Sequence, residues 1–112
     1  MPAPDRLAVL RTILEDGAVP TFSAPDAETA FDFVAACAAG GSRVVELTNR
    51  GEGAYETFTG LARRVAAELP DVILGAGTII DAPTAALFIA AGAGFVVGQS
   101  LSEEVARLCN RR

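Results

Sequence analysis

Glu46 stands inside the run Val44-Val45-Glu46-Leu47, where every neighbour is apolar. Burying a lone carboxylate in such a run is costly unless something uses or neutralises it. Alternation along a strand puts Glu46 with Val44 on one side and Val45 with Leu47 on the other. A partly desolvated carboxylate near the C-terminal end of a strand has its pKa raised toward the range of a proton shuttle. The structural alternative is an ion pair with Arg43 or Arg50. Arg50 follows the polar residues Thr48 and Asn49. A guanidinium there suits a planar carboxylate or phosphate, and equally fits a solvated loop. Gly75-Ala76-Gly77-Thr78 places small residues and a hydroxyl at the end of another apolar run. A ligand could approach the backbone N–H of Gly77 there, and a tight turn explains the same residues. It is no dinucleotide fingerprint, because Ile80 holds the third glycine position and Phe95 stands where an acid is needed.

The 112 residues contain no histidine, and all nine basic residues are arginines, so there is no lysine. The first absence removes the commonest metal ligand and the commonest general base. The second removes the amine that a Schiff base within this stretch would need. One inward carboxylate without histidine makes a poor divalent-metal site, so neither metal nor cofactor is expected. The net charge of −5 and the scattered arginines argue against a nucleic-acid partner. No apolar run approaches about 18 residues and no basic-then-apolar leader opens the chain, so neither a membrane partner nor secretion is expected. Cys37 and Cys109 are too few for a disulfide scaffold and fit a reducing cytoplasm. With no histidine to activate them, both read as small core residues. Arg63, Arg64, Arg111 and Arg112 read as solvated. Hydrophobic residues at 51% against 21% charged exclude disorder and suffice for the core of a single domain over 1–112.

Helical periodicity alternates with short β-branched runs. Asp5 is placed to cap a first helix carrying Leu7, Val9, Leu10, Ile13 and Leu14, which Gly17 stops. A strand over Ala18–Phe22 follows, with Pro20 suiting a sheet edge. Pro25 sits near the first position of a helix whose stripe is Ala27, Ala30, Phe31, Val34, Ala35 and Ala38. Further strands are predicted over Arg43–Leu47, Val72–Ala76 and Phe95–Val97. Between and after them come a helix marked by Phe58 to Leu69, one over Ala82–Ala91 capped by Asp81, and a last one through Leu108 capped by Ser100 or Ser102. Val45, Leu74 and Val96 lie 29 and 22 residues apart, intervals that fit parallel βαβ crossovers. The fold class is therefore α/β, an N-terminal helix plus four parallel βα units. Periodicity fits either a small open sheet or half of a (β/α)8 barrel, whose full form needs roughly 250 residues. In both, ligands bind at the C-terminal ends of the strands.

Ala18-Val19-Pro20, Val45-Glu46-Leu47-Thr48-Asn49-Arg50, Gly75-Ala76-Gly77-Thr78 and Gly92-Ala93-Gly94-Phe95-Val96-Val97 follow one another in order. Together they resemble the first half of the 2-keto-3-deoxy-6-phosphogluconate and 4-hydroxy-2-oxoglutarate aldolase family. The stretch Glu46–Gly51 and the ending Cys109-Asn110-Arg111-Arg112 look like one branch of it. The resemblance implies a trimeric (β/α)8 barrel that cleaves a 2-keto-4-hydroxy acid to pyruvate and an aldehyde through a lysine Schiff base. Carried over by position, Glu46 corresponds to the general acid/base, Arg50 to the arginine on the substrate's anionic end, and Thr78 to the threonine on the pyruvyl carboxylate, with Gly77 beside it. Gly98-Gln99-Ser100 departs from the family, which has a Ser-Pro turn or similar there.

The family's lysine and phosphate-binding loop belong to later strands, so these residues are expected to hold half of an active site and to be inactive alone. The rival expectation is a non-catalytic half barrel that self-associates, a dimer where the family would give a trimer. A third is a small flavodoxin-like binding module using the Gly75–Thr78 turn.

Overall fold

The computed structural model describes residues 4–112. Its order is α1 (Arg6–Asp16), β1 (Thr21–Phe22), α2 (Ala27–Ala39), β2 (Val44–Thr48), α3 (Ala54–Glu68), β3 (Ile73–Gly77), α4 (Ala82–Ala90) and α5 (Glu103–Arg111). The strands form one parallel sheet in the order β1-β2-β3, with Glu46 in register with Thr21 on one side and Gly75 on the other.

Local chemistry sets the helix ends. The Asp5 carboxylate accepts from Ala8 N at 2.8 Å to open α1. Gly17 closes it in the left-handed region (φ 76°), a conformation glycine adopts without steric cost. Asp81 and Ser102 cap α4 and α5 in the same way, each accepting from the backbone N–H three residues on. Helix α2 starts later than Pro25 suggests. Asp26 is its cap, accepting from Thr29 N at 2.7 Å, which leaves Pro25 outside the helix. Helix α3 starts earlier, at Ala54, behind Gly53 at φ 77° and without a side-chain cap.

Two strands are shorter than their sequence patterns predict. Pro20 has no N–H to pair, and only its carbonyl joins the ladder, accepting from Glu46 N at 2.9 Å. β1 is therefore confined to Thr21–Phe22. The fourth strand is reduced to a single parallel bridge, Ala76 with Val96. Residues 94–97 do bond to the segment 74–79 through Gly94 N to Leu74 O, Ala76 N to Phe95 O, Val97 N to Ala76 O and Ile79 N to Val97 O. Gly94 and Gly98 bracket this segment, and among the described residues no strand pairs on its outer side, so a longer ladder has nothing to propagate it.

The core lies between the sheet and its helices. Val45, Leu47, Leu74 and Ala76 face it, packed with Phe31, Val34, Phe58, Leu61, Val65 and Phe88. Phe58 meets Phe88 edge-on, with ring centroids 5.0 Å apart. Arg64, expected to be solvated, pairs with Glu68 and lies 3.8 Å over the Phe31 ring, so its stem shields part of this core. Cys37 and Cys109 are half-buried, and Cys37 packs on the core's margin. No helix among the described residues is long and apolar enough to cross a membrane. Among the described residues the architecture is α/β, five helices and a three-stranded parallel sheet.

Candidate functional site

The opposite face of the sheet carries the polar chemistry. Alternation along β2 sends Val44 and Glu46 away from the core cluster shared with α2, α3 and α4, as the sequence pattern requires. Val44 is fully buried and Glu46 is only 7% exposed. The ion-pair explanation for Glu46 does not hold. Arg43 turns to the far end of the sheet, where its guanidinium binds Asp16 at 2.7 Å and Glu15 at 3.1 Å, fastening the end of α1 to the start of β2. Arg50 is exposed and has no ion-pair partner among the described residues. Among those residues no donor reaches the Glu46 carboxylate either, so burial alone acts on it and raises its pKa.

The rim around Glu46 is tied by backbone bonds. Thr48 Oγ1 donates to Phe22 O at 3.3 Å, joining the ends of β1 and β2. Asn49 N donates to Gly77 O at 2.8 Å, joining the ends of β2 and β3. Arg50 follows immediately, aimed from a loop whose root is therefore fixed. Thr78 ends β3 at φ 59°, the one described non-glycine residue at positive φ. A β-branched residue is strained in that region, and such strain collects where a side chain must be aimed.

Glu46, Gly77, Thr78 and Arg50 thus all stand at the C-terminal end of the parallel strands, where α/β folds bind ligands. Two shallow grooves lie elsewhere. One runs past Ser42, Arg43, Leu69 and Pro70 at the other end of the strands, the other past Glu103, Arg107 and Arg111 on α5. Neither groove is lined by Glu46, Arg50, Gly77 or Thr78.

A family model described as KDPG and KHG aldolase matches residues 10–112. The chain belongs to that family. It is 41% identical over 85 residues to the 2-dehydro-3-deoxy-phosphogluconate aldolase of Dickeya dadantii, an alignment covering 76% of this chain and 38% of that protein. The solved structure of the 4-hydroxy-2-oxoglutarate/2-dehydro-3-deoxyphosphogluconate aldolase from TTHB1 superposes with a TM-score of 0.77 at 28% identity. It covers 92% of this chain and 48% of that one. The KDPG aldolase of Legionella pneumophila, solved with pyruvate captured as a covalent carbinolamine, superposes with a TM-score of 0.71 at 26% identity, covering 84% of this chain and 44% of that one. The chain therefore spans less than half the length of these relatives, and the fold is like part of their TIM-like barrels.

Sequence reasoning missed one feature of this site. It left unread what fills the space where the side chains of Gly75 and Gly77 would stand. In the structure that space is filled from within the chain, at Gly75 by the Phe95 ring and at Gly77 by the Glu46 carboxylate. The strand register sets Gly75 against Glu46, the only charged residue of β2, and places Gly77 opposite Thr48, two residues on along the same face.

Proposed function

We propose that these residues supply one wall of a class I aldolase site that cleaves a 2-keto-4-hydroxy acid to pyruvate and an aldehyde. A lysine amine outside residues 1–112 attacks the C2 carbonyl, and loss of water leaves a protonated imine. That imine takes up the electrons of the C3–C4 bond as it breaks, giving an enamine, while the C4 hydroxyl proton passes to a base. Glu46 moves protons in these steps. Thr78, with the Gly77 N–H beside it, holds the pyruvyl carboxylate, and Arg50 binds the anionic far end. The observation that carries this reading is the buried Glu46 carboxylate, unpaired among the described residues, at the strand mouth. The carbinolamine trapped in the Legionella relative supports the chemistry. The flavodoxin-like alternative loses its support, since the family model and the solved neighbours are aldolases.

In this reading the whole protein is cytoplasmic and homo-oligomeric, a trimer as the family resemblance implies, and the 112 residues alone are inactive. The open sheet favours a second reading, in which two copies close edge to edge as a dimer. Borohydride reduction with pyruvate tests the first. The full-length protein carrying these residues should gain one reduced pyruvate, mapped by mass spectrometry to a lysine beyond Arg112. Absence of that adduct, or aldolase turnover by residues 1–112 free of any lysine, overturns it.

A further inference from the structure

Gly75 and Gly77 are the β3 positions beside Glu46, and neither has a positive φ. Backbone conformation therefore does not demand glycine at either place, and space does. A Cβ built on Gly75 would overlap the Phe95 ring. One built on Gly77 would overlap Oε2 and Cδ of Glu46 and stand 3.1 Å from Cγ. The carboxylate thus lies flat on the bare backbone of β3, with Phe95 filling the neighbouring position. No donor among the described residues reaches the carboxylate, whose unpaired oxygens keep an edge to solvent, so on the protein side shape is what holds it.

We infer that Gly77 is a positioning residue for Glu46, its missing side chain forming the seat that holds the carboxylate at the mouth of β3 beside Thr78. Any side chain at position 77 turns the carboxylate into another rotamer, off the strand end where the reacting atoms must stand. The catalytic consequence rests on the proton-transfer reading of Glu46, whereas the seat itself does not.

The test uses the full-length protein and two independent readouts. Gly77→Ala should lower kcat by about 100-fold, the scale of an ångström's misplacement, with little change in KM because the backbone N–H is kept. Glu46→Asp should lower kcat when Gly77 is intact yet raise it about tenfold in the Gly77→Ala background, because the shorter acid clears the added methyl. A purely structural defect at position 77 would show no such reversal. The second readout is thermal stability. The loss of Tm caused by Gly77→Ala should disappear when Glu46→Ala is added, while the loss caused by Gly75→Ala should persist, since its clash is with Phe95. Should Gly77→Ala alone fail to fold, recovery of folding on adding Glu46→Ala supports the seat, and no recovery overturns it. Unchanged kcat in Gly77→Ala, or a Tm loss indifferent to Glu46, overturns it as well. If the unmodified protein shows no aldolase turnover while the Tm coupling holds, the proposed function fails and the seat stands.

Discussion

Burial without a hydrogen-bond partner gives Glu46 both a raised pKa and a cost to the fold. The native state holds this proton to a higher pH than the unfolded chain does. The stability linked to the group is therefore complete below the unfolded pKa and declines as pH rises through the folded one. Glu46→Gln removes that decline. In the full-length protein the variant should be more stable than the parent at neutral pH and equal to it near about pH 4, as urea midpoints will show. The same change should lower kcat by about 10²–10⁴-fold, the usual loss on removing a positioned general acid/base. Thr78 presents the converse trade. Thr78→Gly relieves the strained φ of 59° and should leave stability unchanged or up to about 1 kcal/mol higher, since relief of strain is offset by glycine's entropy. Thr78→Ala keeps the strain, and both variants should raise the KM for substrate through loss of the hydroxyl. Equal KM values in parent and variants would remove Thr78 from the carboxylate site.

At the scale of elements, the strands aim the site and the helices hold the strands. Val45 and Leu47 anchor β2 into the helix-side core, which forces Val44 and Glu46 to the other face. Phe58 on α3 is fully buried beneath the sheet and edge-on to Phe88 on α4, so it joins two helices at once. Phe58→Ala should destabilise the protein by about 3–5 kcal/mol, measured by urea unfolding, because the cavity between two helices cannot collapse without moving both. The Arg43 clamp on Asp16 and Glu15 closes the opposite end of β2. Binding chemistry and anchoring thus sit at opposite ends of one strand.

At the scale of the molecule, the radius of gyration is 12.9 Å, against roughly 13 Å for a globular chain of this length, so the described residues are compact. Arg6 on α1 donates to the Asn110 carbonyl on α5 at 2.9 Å, tying the first helix to the last. Large apolar side chains still face outward. Leu7, Leu10 and Leu14 make a stripe on α1 at 68%, 52% and 82% exposure, while Ile80 and Leu101 reach 70% and 89%. Exposed apolar surface together with open sheet edges favours association. Residues 1–112 alone should therefore self-associate in light scattering, and Leu101→Ser with Leu14→Ser should reduce that association. A stable monomer at all concentrations would show that these faces need no cover.

Helix caps at Asp5, Asp81 and Ser102, the stop at Gly17 and the two faces of β2 were all legible in the chain, because each depends on residues a few positions apart. The aldolase motifs likewise carried the family, since their order and spacing are properties of the sequence itself. The edges of the sheet were not legible. Whether Ala18–Phe22 and Phe95–Val97 become full strands depends on neighbours across space, which reduced one to two residues and the other to a bridge. The surroundings of Glu46 were hidden for the same reason. That Arg43 would leave it for Asp16, and that Gly77 would make room for its carboxylate, are matters of which strands lie side by side and in what register. Local spacing chose the residues and the elements; long-range packing chose their partners.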